Sequence, residues 1–299
     1  MHTRRLVRQL LAHGGLAYAL VGFLGGLVWL SVTASRPAIE APATSAGPRP
    51  LTAPVSGQVP LQDAIDSVRR FTGQPSMVLE GSIQTDAPSG TRGDLYYLES
   101  VSPTRGEDFF KVDARTGEVI EATLRGRMAP AIDAVDLSLP AAETVATRFA
   151  QARFWGFDQL TLVDRSSRTS ENGTIFSFKW SQLAADSGAE LPTSVSVAVS
   201  GRSGQVFWYL GQREPRQIET QPAVSQARAI EIAQAWLQPR DARWNLSAPT
   251  SVRLQVLYDD DDQQQLVWSV QFRARQEGQR SSLRLLVDAQ SGQIIQSAS

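Results

Sequence analysis

Val112-Asp113-Ala114-Arg115-Thr116-Gly117-Glu118-Val119-Ile120 is the stretch on which the reading of this chain turns, because it returns twice. The second copy is Val199-Ser200-Gly201-Arg202-Ser203-Gly204-Gln205-Val206-Phe207, and the third is Val287-Asp288-Ala289-Gln290-Ser291-Gly292-Gln293-Ile294-Ile295. The closing glycines fall 87 and 88 residues apart, and a fixed period signals repeated structure. Each copy has the chemistry of a turn. Apolar residues alternate up to a valine, a short polar link ends in Gly, and apolar residues resume. Gly adopts φ > 0 without a Cβ clash, as a type I turn closed by a bulge requires. Asp113 and Asp288 are placed to hydrogen-bond the backbone two residues on. Each copy is therefore expected to be the last hairpin of a small sheet, with Gly117, Gly204 and Gly292 at positive φ.

Upstream of each copy lies a helical stripe. Leu61, Ala64, Ile65, Val68 and Phe71 recur at helical spacing, and Gly73 with Pro75 stops the run. Ser138 caps a second stripe of Ala142, Val145, Ala146 and Phe149, with Pro140 in its first turn and Gly156 ending it. Ala229, Ile232, Ala233 and Trp236 make the third. Strand patterns fill the remainder. Phe176, Phe178 and Trp180 alternate with Ser177 and Lys179 behind an Asn172-Gly173 hairpin signal. Val252, Leu254, Val256 and Tyr258, then Leu266, Trp268, Val270 and Phe272, repeat that period around Asp259 to Asp262. The expectation is an α+β fold of three tandem units, each one helix packed on an antiparallel sheet of about four strands, plus an N-terminal transmembrane helix.

The order helix, antiparallel sheet and closing V-D-A-x-[ST]-G-x-[VI] hairpin resembles the PepSY domain. Copies one and three match that ending, whereas copy two carries Ser200 and Gly201 in place of Asp-Ala. The resemblance covers residues 60–299 as three PepSY-like units, 60–127, 128–215 and 216–299. It implies a non-catalytic binding or regulatory role, with modulation of a peptidase or another envelope partner as one form, and it brings no catalytic residues.

Arg4, Arg5 and Arg8 precede an uncharged stretch from Gln9 to Ser35. Its apolar heart is long enough to cross about 30 Å of hydrocarbon as a helix. The arginines place the N-terminus in the cytoplasm and the bulk of the chain outside it. Residues 1–35 are read as a membrane anchor. The rival reading is a signal peptide cleaved near Val32-Thr33-Ala34, which would leave a secreted protein. Residues 36–59, with Pro37, Pro42, Pro48, Pro50 and Pro54, read as a tether.

Composition narrows the chemistry. The 299 residues carry a net charge of −1 and no cysteine. The balanced charge offers no basic field for nucleic acid. Without Cys there is no disulfide, thiolate metal site or Cys nucleophile. The two histidines, His2 and His13, precede or lie within the anchor, so a Ser-His-Asp triad or His metal site has no histidine beyond it. Lys111 and Lys179 alternate outward and read as solvated. Asp259 to Asp262 form an acidic tip that lacks the spacing of calcium loops. Asn172 lies in a sequon that a tight turn accounts for. Trp155, Trp180, Trp208, Trp236, Trp244 and Trp268 fall mostly at core-facing phases. No catalytic, cofactor or metal residue is assigned, and no cofactor is expected. A protein or peptide partner outside the cytoplasm is expected, and the alternative role is a scaffold subunit of an envelope complex.

Overall fold

The computed structural model describes residues 57–84, 94–100, 107–125, 137–170, 173–238, 248–259, 262–276 and 279–298. The span expected at Gln9 to Ser35 and most of the tether lie outside them. Among the described residues no helix is long and apolar enough to cross a membrane.

Three helices form where the apolar stripes fall. They are α1 (Leu61–Thr72), α2 (Leu139–Gln151) and α3 (Gln226–Leu237). Ser138 Oγ accepts the Ala141 amide, and Ser225 Oγ the Arg228 amide, so each caps its helix. Gly73, at φ 71°, ends α1 in the left-handed conformation. Gly156 does not end α2, which stops at Gln151; at φ 80° it instead opens a 3-10 turn at Phe157–Gln159.

Twelve strands follow: β1 (Leu79–Gln84), β2 (Leu95–Ser100), β3 (Phe109–Asp113), β4 (Val119–Thr123), β5 (Thr161–Ser170), β6 (Gly173–Leu183), β7 (Glu190–Ser200), β8 (Val206–Gln212), β9 (Ser251–Tyr258), β10 (Gln264–Gln276), β11 (Gln279–Asp288) and β12 (Ile294–Ala298). They form one hydrogen-bonded sheet in the order β1-β2-β3-β4-β8-β7-β9-β10-β11-β12, with β6 also on β7 and β5 on β6. This overturns the expected fold of three units with separate antiparallel sheets. Two joins are responsible. β4 pairs antiparallel with β8 through Glu121↔Leu210, Ala122↔Tyr209 and Thr123↔Trp208. β7 meets β9 in parallel at Glu190↔Gln255, which makes the sheet mixed. The physical reason is that a hairpin leaves an outer strand with unpaired backbone groups, and joining strands satisfies them.

The chain divides into two compact units. The larger comprises Ser45–Pro222 with Leu254–Val267. Its core takes Ala64, Val68 and Phe71 from α1, Ala142, Ala146 and Phe149 from α2, and Phe110, Phe178, Val197 and Tyr209 from the strands. Phe71, Phe149 and Tyr209 meet with ring centroids 5.0–6.0 Å apart. Arg153 lies 3.9 Å over the Phe149 ring and donates Nε–H to the Phe71 carbonyl at 2.9 Å, tying the ends of both helices together. The smaller unit holds Ala223–Arg253 and Trp268–Ser299. There Ala229, Ala233 and Leu237 of α3 are buried, as are Phe272, Leu283, Leu285 and Val287. Trp268 donates its indole N–H to the Val224 carbonyl at 2.7 Å.

The three closing turns share one geometry. Gly117, Gly204 and Gly292 have φ of 71°, 67° and 76°, as expected. Each donates its amide to the residue four before it, Asp113, Ser200 or Asp288. Each hairpin carries a register shift at the preceding valine. Asp113 Oδ1 accepts the Arg115 and Thr116 amides at 2.8 Å; in the variant copy Ser200 Oγ accepts the Ser203 amide at 3.2 Å. The residue ahead of each helix docks on its turn: Val59, Leu137 and Val224 donate their amides to the carbonyls of Ala114, Gly201 and Ala289. A fourth turn of the same form joins β6 to β7. There Gly188, at φ 71°, donates to Ala184, and Ala184 donates to Ala189.

Candidate functional site

Lys111, Lys179 and Asp259 each have a structural partner. Lys111 pairs with Glu121 at 2.7 Å across the β3–β4 ladder. Lys179 was expected to be solvated, yet its side chain is only 12% exposed and Glu190 only 6%. Lys179 Nζ lies 3.0 Å from Glu190 Oε2, and Gln255 donates Nε2–H to the same oxygen at 2.8 Å. Lys179 is thereby held in a fixed position by Glu190. Asp259 accepts hydrogen bonds from the Gln263 amide at 2.8 Å and from Gln265 Nε2 at 2.7 Å. Asp260 and Asp261 lie outside the described residues, as do His2, His13, Asn172 and Trp244. Among the described residues no group of three His, Asp or Glu is placed to hold a metal ion.

A polar seam crosses the larger unit beside the fourth turn. Asp186 accepts Thr220 Oγ1–H at 2.8 Å and pairs with Arg216 at 3.4 Å. The Thr220 hydrogen bond, then the local backbone and the Arg216 charge, hold the Asp186 carboxyl below the usual carboxylate range. Gln264 donates to the Pro215 carbonyl and accepts the Gln217 amide, and Tyr258 reaches Glu214 at 3.4 Å. These contacts secure residues 213–222. The tryptophans divide: Trp180, Trp208 and Trp268 are buried, whereas Trp155 is 80% exposed. Arg213 lies 5.3 Å over the Trp155 ring and 4.6 Å over Phe154, and pairs with Glu118 at 2.9 Å.

What remains is a surface built from β5. Among the described residues this strand pairs only with β6, and Arg165 to Ser170 are exposed. The side-chain alternation of a strand puts Arg165, Ser167 and Thr169 on the same face as Phe178, Phe176 and Thr174, their partners in β6. That is the face α2 covers. Asp164, opposite Lys179, belongs to the other face. Arg165 reaches back to Glu143 of α2 at 3.6 Å. Between helix and strand runs an open groove of about 500 Å³, lined by Glu143, Thr144, Thr147, Arg148 and Gln151 of α2 and by Arg165. An unpaired strand edge with a groove along one face has the geometry that receives a further strand.

Leu160 to Val163 reads as a strand start, whereas Arg165-Ser166-Ser167-Arg168-Thr169-Ser170 has no apolar alternation to extend it. The usable signal was Asn172-Gly173. A two-residue hairpin implies a strand before it as long as the one after it, and the ladder does run from Thr161↔Ser181 to Ser170↔Gly173.

No family model matches the chain, and no curated protein matches it. Among solved structures the chain is similar to the Bacillus megaterium YpeB C-terminal domain, at 17% sequence identity and a TM-score of 0.46, over 81% of this chain and 97% of that one.

Proposed function

We propose that this chain is a PepSY-like, non-catalytic binding and regulatory module that works outside the cytoplasm. Its N-terminal arginines and uncharged stretch hold it at the membrane, and it acts by capturing an extended segment of a protein partner. The single observation that carries this reading is the β5 edge: a ten-residue strand with one neighbour among the described residues, exposed from Arg165 to Ser170 and flanked by a groove. Main-chain hydrogen bonds at such an edge supply affinity, and alternate side chains entering the groove supply selectivity. The commitment of Lys111, Lys179 and Asp259 to structural partners supports a role without turnover.

The test is site-specific photo-cross-linking in intact cells. A photoreactive residue at Ser166 or Ser170 should yield one discrete protein adduct, and the same residue at Gln62 on α1 should not. Absence of an adduct at β5, or equal adducts at all three positions, would refute capture at this edge. A ladder of very large adducts would favour the scaffold role instead.

A further inference from the structure

Resting on that reading, we infer that the segment received by β5 is acidic, its carboxylates entering the α2–β5 groove to meet Arg148 and Arg165. The groove side of the edge is cationic in its fixed groups. Arg148 and Arg165 line it against the single carboxylate of Glu143, and Asp164 belongs to the opposite face. The Arg148 side chain has no ion-pair partner among the described residues, and the Arg165–Glu143 pair is long at 3.6 Å and exposed. Such a pair contributes little by itself and exchanges readily for a better carboxylate. Guanidinium groups bind carboxylates through two parallel N–H donors, a geometry that lysine does not provide. Thr144 and Thr147 add hydroxyls along the same wall. Alternate residues of an added strand point to one face, so carboxylates at every second position would enter the groove. A second copy of this chain is the wrong occupant. Antiparallel pairing of two β5 strands would bring the Arg165 side chains of both copies onto one face beside each other, and like charges on one face repel.

The experiment uses the full-length protein and three labelled ten-residue peptides alternating Glu-Thr, Gln-Thr or Lys-Thr. Binding is followed by fluorescence anisotropy, and the site by amide hydrogen exchange. The Glu-Thr peptide should bind, slow exchange in residues 161–170, and weaken as salt rises. In R148E/R165E its affinity should fall about tenfold or more while the Lys-Thr peptide gains. R148Q/R165Q should lose the preference without acquiring the opposite one. Equal binding of the Gln-Thr and Glu-Thr peptides with protection of β5 would overturn the acidic assignment and leave edge capture standing. Protection of β5 by none of the peptides would overturn both. Self-association lost on replacing Arg165 would show that a second copy fills the edge, and would also overturn the inference.

Discussion

Gly292 lies directly against Ile232: a Cβ built on the glycine would stand 3.0 Å from Ile232 Cδ1 and 3.6 Å from Val224 Cγ2. The third closing turn is thus pressed onto α3 and onto the residue that leads into it. Gly204 is looser, its nearest such neighbour being Leu137 Cδ1 at 3.6 Å. Both glycines need positive φ. Gly204→Ala should therefore cost about 1 kcal/mol from backbone strain alone. Gly292→Val adds a clash and β-branching and should cost about 3 kcal/mol. Denaturant midpoints at unchanged slope measure both, and equal losses would contradict the packing difference.

Lys179, Glu190 and Gln255 form a polar contact that reaches from β6 to β9 by way of β7. Removing one partner of a buried pair leaves the other charge desolvated. Lys179→Met should cost about 3 kcal/mol, and the double variant K179M/E190L should recover most of that loss. A double-mutant cycle reads the coupling. The double variant should also lose protection of β9 amides in hydrogen exchange, since the polar contact selects Gln255 as the neighbour of Glu190. Retained β9 protection would show that backbone pairing alone sets the parallel join.

Asp186 gives the connection at 213–222 a pH dependence. Its carboxyl titrates below the usual range because the ionised form accepts the Thr220 hydrogen bond and faces Arg216. A depressed folded-state value stabilises the structure while the group is charged. That contribution is complete above the ordinary carboxylate range and is lost as pH falls through the depressed value. Exchange of amides 216–222 should accelerate on acidification through that window. Asp186→Asn should show the faster exchange already at neutral pH and respond less to acid. Identical pH profiles for the two proteins would disprove the role.

Local features were legible in the sequence because local physics determines them. Asp-x-x-x-Gly marked the first and third closing turns and Ser-x-x-x-Gly the second, and apolar spacing located α1, α2 and α3 within a few residues. The fourth turn was marked only by Asp186-Ser187-Gly188, without the preceding V-D-A, and was missed. The joins of β4 to β8 and of β7 to β9 were not legible. They depend on which backbone edge is left open after the hairpins form, and an open edge has no residue signature. Lys179 was misread for the same reason: alternation assigns it a face but cannot show that Glu190 and Gln255 cover that face. The candidate site was half legible. Asn172-Gly173 implied β5, but its polar run resembles a loop, and the groove arises only when α2 is laid beside it.

The β4–β8 ladder also sets a condition on synthesis. β4 ends at Thr123 and β8 begins at Val206. At ordinary elongation rates the ribosome needs roughly five to fifteen seconds to cover that distance. During this interval the first four strands can form their hairpins, yet β4 has no outer neighbour. The nascent chain must therefore carry an open, strand-ready edge until the distant partner emerges. Glu121, central in β4 and opposite Leu210 in the finished ladder, puts a charge on that waiting edge and discourages pairing with other chains.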